Sequence, residues 1–179
     1  MNTSPLSTNR TVLKSFRVDA KAFRVLQGEA KRRDVTPSAL VNQFIVAYAE
    51  YGRFVDQLNA LSLRRKTLSE ILNAIQDEPL IGAAERAGRS APAAFVRAMR
   101  GRVTLPAIRE LMTILSKYAN LFEINEIKED DSLHLVLVHG LGRKWSLFLA
   151  HYLRRVFALA NVPVQFDVSD KSVVLSLAT

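Results

Sequence analysis

The chain has 179 residues, a formal net charge of +8, a pI of about 10.1, a mean hydropathy of +0.06 and no cysteine. This composition is typical of a basic, folded protein, and it excludes disulfides, thiolate metal sites and cysteine nucleophiles. The sequence contains no apolar run long enough for a membrane span, and its polar N-terminus has no apolar signal core. We therefore expect a cytoplasmic protein that does not bind membranes.

Positive charge is concentrated towards the N-terminus. Residues 1–54 carry nine Lys/Arg against four Asp/Glu, a net of +5, whereas residues 111–179 carry seven of each. A basic segment ahead of a neutral one is typical of a nucleic-acid-binding module joined to another domain. The alternative is that the basic end only provides solubility.

The first elements in chain order are an arm, a short strand and a helix. Residues 1–11 predict a flexible arm, and the side chains alternate over 12–18, which predicts a strand. Asp19 is a good N-cap for the helix that follows. The apolar stripe of this helix is Phe23, Leu26 and Ala30. Its opposite side is basic, with Lys21, Arg24 and Lys31.

A second helix follows after a short break. Asp34-Val35 interrupts the helical pattern, and Thr36-Pro37 restarts it as N-cap and first helical residue. The pattern ends at Gly52. The apolar stripe of this second helix is Leu40, Val41, Phe44, Ile45 and Tyr48.

Residues 53–120 are predicted to be helical throughout. Thr67 to Glu70 form a capping-box pattern, and Thr104 to Pro106 begin a later helix. Gly88 is expected to end a helix. The segment 83–101, with Gly88 as its turn, resembles a helix-turn-helix, although a packed core is the stronger interpretation of its apolar residues.

The pattern changes to strands after residue 120. Apolar residues in 122–127 and 133–139 predict two strands, and a helix is expected from about Lys144 to Ala160. Residues 162–168 alternate strictly, and a turn then leads to a last strand. The order β-β-α-β-β predicts a small antiparallel sheet with one helix on one face. The predicted class is therefore α+β.

The N-terminal elements resemble a known family of DNA-binding proteins. The stretch KSFRVDAKAFRVLQGEAKRRDVTPSALVNQFIVAY, residues 14–48, is similar to the ribbon-helix-helix superfamily of Arc, MetJ and CopG. The resemblance covers residues 12–52 and consists of the strand, the two capped helices and their stripes. The remaining chain more weakly resembles archaeal proteins that join such a unit to a C-terminal domain of unknown role. The predicted organisation is thus an arm (1–11), a ribbon-helix-helix domain (12–52), a helical segment (53–120) and an assembly or ligand-sensing domain (121–179).

The resemblance implies a homodimer that places a two-stranded ribbon in the major groove of double-stranded DNA. The implied base-contacting residues are Leu13, Ser15 and Arg17. The implied phosphate contacts are the side chains or amides of Lys14, Lys21, Arg24, Lys31, Thr36, Ser38 and Ala39.

Lys14 departs from the family pattern, because it falls on the inward side of the strand, where an apolar residue is usual. Either its stem extends outward at the end of the ribbon, or the strand phase is shifted and Lys14 contacts bases.

Further along the chain, a glycine-containing turn provides a second candidate site. The main-chain amides at the start of the last helix predict an anion or ligand site, formed by Gly140, Gly142, Arg143 and Lys144. A tight turn with Trp145 in the core is the alternative. His134 and His139 lie five apart on a strand and so point to opposite faces, which does not favour a shared metal. We expect no metal, no cofactor and, since no catalytic motif is present, no enzyme activity.

The sequence thus predicts a homodimeric, nucleoid-associated transcription regulator, with tetramer formation left open. An antitoxin or plasmid-partition protein would share the DNA interface. A protein-interaction or ligand-binding module without DNA binding is the alternative from another class. The operator, the sign of regulation and any small-molecule effector are not specified by the sequence.

Overall fold

The computed structural model describes residues 11–57, 62–100, 102–129 and 132–178. It is an α+β structure with a four-stranded antiparallel sheet, as the sequence predicted. The chain divides into two compact units, Met1–Val46 and Ala47–Thr179. The helical segment and the sheet therefore belong to the same unit. Residues 1–10 of the predicted arm (1–11) lie outside the described residues.

The first unit contains the two predicted helices. Helix α1 spans Ala20–Arg32, and the Asp19 carboxylate accepts the N–H groups of Lys21 and Ala22, both at 2.9 Å. Asp34, just after the C-cap of α1, adopts a left-handed backbone with φ of 54°, which prevents the helix from continuing. Helix α2 then spans Pro37–Ala47. Both caps and the break lie where the sequence predicted them.

The predicted strand at 12–18 is not formed within this single chain. Residues 11–19 belong to no helix or strand, and all of them are exposed. A strand exists only through its backbone pairing, and the expected partner is the same segment of a second chain. The ribbon therefore stays a prediction.

The second unit begins with helices. The chain continues after α2 through a π-helical segment, Tyr48–Gly52, into α3. The helices are α3 (Arg53–Gln57), α4 (Arg65–Asn73), α5 (Asp77–Arg100) and α6 (Leu105–Ile114), which leads into a second π-helical segment, Leu115–Ala119.

Two local predictions in this region were wrong. Helix α4 begins at Arg65, so Thr67 lies inside the helix and cannot cap it. Helix α5 passes through Gly88 without a turn, which removes the helix-turn-helix interpretation of 83–101. Gly88 is buried and lies against the backbone of Tyr152, so it allows close packing of two helices instead of ending one.

The C-terminal elements follow the predicted order. They are β1 (Glu123–Glu129), β2 (Ser132–Val138), α7 (Arg143–Leu159), β3 (Gln165–Val168) and β4 (Ser172–Ala178). The strand order is β1-β2-β4-β3, and every pair is antiparallel. One face of the sheet is buried in a core shared with α7. The sheet residues of that core are Leu133, Leu135, Leu137, Val173, Leu175 and Leu177, and the helix contributes Leu149, Leu153, Val156 and Phe157.

Trp145 lies in the same core, as the alternative interpretation of the glycine turn required.

Across the described parts of the chain, none of the helices combines the length and the apolarity that crossing a membrane would need.

Candidate nucleic-acid interface

The segment ahead of α1 carries the predicted base-contacting residues. Leu13, Ser15 and Arg17 are all exposed, and Leu13 is 100% exposed. The residues expected on the other side of the strand, Phe16 and Val18, are also exposed, at 62% and 50%. A group of large exposed apolar side chains is typical of an interaction surface. All of these residues are therefore accessible, and the single chain does not bury those predicted to face inward.

The cations of the first unit outnumber its acids. Residues 11–46 contain seven Lys/Arg and three Asp/Glu, a net of +4. The Asp19 carboxylate is taken up by the start of α1, and Glu29 pairs with Arg32 at 2.6 Å and with Arg33. These two guanidinium groups hold the pKa of Glu29 down to about 2, so it is ionised at neutral pH.

The remaining cations are those that the sequence assigned to DNA. Lys21, Arg24 and Lys31 are exposed on α1. Within the described residues, these three and Lys14 and Arg17 form no ion pair with a carboxylate. Their charge is therefore available to an external anion such as a DNA phosphate.

The start of α2 is arranged differently from the prediction in one respect. The Thr36 hydroxyl accepts the N–H of Ala39 at 3.1 Å, which is the N-cap bond. Thr36 and Ser38 are exposed. In this conformation the Ala39 amide is engaged by the cap, so a phosphate would reach it only by sharing or displacing Thr36. The Ser38 amide is not involved in that bond.

An apolar surface remains on the two helices of this unit. Leu40 and Ala30 are buried, at 0% and 1% exposure. The rest of the stripe is open: Phe23 is 39% exposed, Phe44 49% and Ile45 55%. The stripe therefore has a buried part, at Ala30 and Leu40, and an outer part that leaves apolar area exposed.

The four residues of the predicted anion site at the start of α7 do not all face the same site. Gly142 has φ of 85° and caps α7, Gly140 and Arg143 are exposed, and Gly140 lines a cavity. Lys144 instead donates to the carbonyl of Ile75 at 2.7 Å and pairs with Asp77. Lys144 thus joins α7 to the loop before α5, and its charge is already compensated.

Sequence reasoning missed the cation that lies beside Gly140. It is Arg65, whose Nη1 donates to the carbonyl of Asn120 and whose Nη2 lies 3.9 Å from where a Cβ on Gly140 would be. Arg65 is distant in sequence from both contacts, and no local pattern marks it. The structure also shows His134 and His139 on opposite faces of the sheet: His134 contacts Ser176, and His139 contacts Ser146 on the helix side.

The chain has no clear relative among the known proteins compared with it. No protein-family model matches this chain. No curated protein is significantly similar to it. Among solved structures, the chain is similar to an unliganded Fe(II) H-NOX protein mutant from K. algicida, at 11% identity over 98% of this chain and 82% of that one, with a TM-score of 0.29. A likeness at that TM-score carries no argument about this chain.

Proposed function

We propose that this protein is a sequence-specific regulator of transcription that binds double-stranded DNA as a homodimer. In this proposal, the segments 12–18 of two chains pair as an antiparallel ribbon and enter the major groove. The observation that carries the proposal is the combination of exposed apolar and exposed cationic side chains in the first unit. Burial of the apolar residues against a partner would stabilise the unit, and the cations without an ion pair can bind an anion.

The exposed apolar residues support pairing with an identical chain. Phe16 and Val18 before α1, and Phe44 and Ile45 on α2, are each at least about half exposed. Taking such a side chain from full exposure to full burial contributes roughly 1.5–3 kcal/mol, so burying the exposed half of each contributes about half as much. A second copy would offer the same residues in return, as a two-fold symmetric interface requires.

The cations support DNA as the ligand of the dimer. Arg17 is exposed. In the proposed ribbon it lies on the face opposite to Phe16 and Val18, where a guanidinium can donate two hydrogen bonds to a guanine. Such a pair discriminates against a wrong base by about 1–3 kcal/mol. Lys21, Arg24 and Lys31 add sequence-independent attraction that weakens as salt rises.

The test is a gel shift against genomic fragments at two salt concentrations. We expect binding to a subset of fragments and a steep loss of affinity at the higher salt. The Arg17→Ala variant should lose about 1–3 kcal/mol on the selected fragments and less on random DNA, because it removes a base contact.

The matched control is Arg64→Ala, which removes the same charge from an exposed position in the second unit. It should leave selectivity unchanged. Absence of any DNA binding would overturn the proposal. Equal loss of selectivity in the two variants would remove Arg17 as the base-contacting residue.

A further inference from the structure

A cavity of about 310 Å³ opens at one end of the sheet. It lies where β1 begins and β2 ends, and the chain on either side of it comes from α4 and from the segment after α6. A volume of this size falls in the range of small-molecule sites, which begins at about 300 Å³. The residues that line it are Arg65, Ser116, Asn120, Phe122, Glu123, Val138, His139 and Gly140.

Among the described residues, the wall of the cavity contains one cation, Arg65, and one carboxylate, Glu123. Arg65 is held in place by its bond from Nη1 to the Asn120 carbonyl, and its Nη2 lies near Gly140. Glu123 supplies the carboxylate from the first residue of β1, opposite Val138 in the strand register.

The imidazole of His139 is not available to a ligand as a charged group. Its Nδ1 accepts the N–H of Leu141 at 3.4 Å, and its Nε2 lies 2.9 Å from the Ser146 hydroxyl. These two bonds use both ring nitrogens of a neutral histidine. The charges facing the cavity are therefore those of Arg65 and Glu123.

The charge pair restricts the class of ligand. An anion that binds Arg65 is repelled by Glu123, and a cation that binds Glu123 is repelled by Arg65. A molecule with both a carboxylate and an ammonium group satisfies both. Val138, which is 38% exposed, adds apolar surface that would suit an aliphatic side chain.

We propose that this cavity binds a neutral aliphatic α-amino acid. Arg65 binds the carboxylate of the ligand, Glu123 binds its ammonium group, and Val138 contacts its side chain. The site lies in the second unit and does not depend on DNA binding, so the two proposals can fail separately.

The first test is the thermal unfolding midpoint of the full chain with three related probes: leucine, isocaproate and isoamylamine. Isocaproate lacks the amino group of leucine, and isoamylamine lacks its carboxylate. We expect a saturable rise of the midpoint with leucine, and a requirement for at least about tenfold higher concentrations of the other two. No saturable rise with leucine, or an equal rise with isocaproate or isoamylamine, would overturn the proposal.

The second test uses matched variants. Glu123→Gln and Arg65→Gln should each weaken leucine binding about tenfold or more. Glu129→Gln, at the other end of β1, and Arg64→Gln, beside Arg65, should bind as the wild type does. Should Arg65→Gln fail to fold, Glu123→Gln decides the matter, because Glu123 is exposed at a strand end. Unchanged leucine binding in Glu123→Gln would overturn the proposal.

Discussion

At the scale of single residues, His139 shows how burial fixes a protonation state. It is 5% exposed and lies between the Leu141 N–H and the Ser146 hydroxyl. Burial, reinforced by the charge of Arg65, lowers the pKa of His139. Because Leu141 donates to Nδ1, a proton on Nδ1 would place two donors against each other. The neutral ring is therefore the form that the fold requires.

This lowered pKa predicts a dependence of stability on pH. The folded chain holds the His139 proton less tightly than the unfolded chain, whose histidine pKa is about 6.5. The unfolded chain therefore takes up this proton at a higher pH than the folded chain does. The free energy of unfolding has its full value above a pH of about 6.5 and decreases as the pH falls below it, by at most about 1.4 kcal/mol per pH unit. Urea unfolding at several pH values between about 7.5 and 5 measures it.

His139→Gln provides the comparison. The variant is expected to be less stable overall, but its stability should change less across that pH range, since the titrating ring is gone. An identical slope in variant and wild type would show that other groups cause the dependence.

The close packing at Gly88 predicts that a larger residue there lowers the stability of the protein. A Cβ at Gly88 would overlap the Tyr152 carbonyl oxygen and lie 3.0 Å from the Arg155 Cβ, whereas a Cβ at Gly28 meets nothing within 4 Å. Gly88→Ala should therefore destabilise the protein by about 1–3 kcal/mol through overpacking. Gly28→Ala should stabilise α1 by about 0.5–1 kcal/mol. Urea midpoints of the two variants check this, and a neutral Gly88→Ala would contradict the close packing of α5 on α7.

Residue-scale features were predictable from sequence only where they are local. The caps Asp19, Thr36 and Thr104 each bond an amide two or three residues away. The first two were identified as caps, and Thr104 was placed at the start of its helix. Arg65 bonds Asn120, and Lys144 bonds Ile75 and Asp77, across many residues. A single sequence contains no information about such pairs, because they are created by the tertiary fold.

At the scale of elements, the start of α1 depends on one side chain. The Asp19 carboxylate satisfies two amides that otherwise have no partner in the helix. Asp19→Ala should cost about 1 kcal/mol and shorten α1, whereas Asp19→Asn keeps an acceptor and should cost less. Circular dichroism and the urea midpoint measure both effects. Equal loss in the two variants would mean that the negative charge matters more than the hydrogen bonds.

Helices and strands were predictable where the hydrophobic periodicity agreed with the turn and capping residues at their ends. The strict alternation at 162–168 and in β2 indicated strands, and the β-β-α-β-β order was confirmed. Gly88 was misinterpreted because glycine both ends helices and lets helices approach closely, and the two uses look alike in sequence. The central position of β2 and β4 in the sheet was not predicted, since it depends on long-range pairing.

At the scale of the whole molecule, the two units differ in how much apolar area they bury. The second unit has a continuous core that joins the helical segment to the sheet. In the described part of the first unit, residues 11–46, only Ala30 and Leu40 are buried, and large apolar residues are exposed. A unit with so little core of its own gains stability from a partner. The proposed dimer supplies that partner from a second copy of the same unit.

The pairing of 12–18 between two chains is the claim on which the proposed function rests. Because the chain has no cysteine, Ser15→Cys introduces a single site for a spin label, and Lys171→Cys serves as a control in the second unit. Any antiparallel register within 12–18 separates the two Ser15 backbones by at most about 20 Å. Pulsed electron-spin distance measurement should therefore give one short, narrow distance for the Ser15 label. A broad distribution, or no dipolar coupling between two chains at that position, would contradict the ribbon and with it the proposed mode of DNA binding.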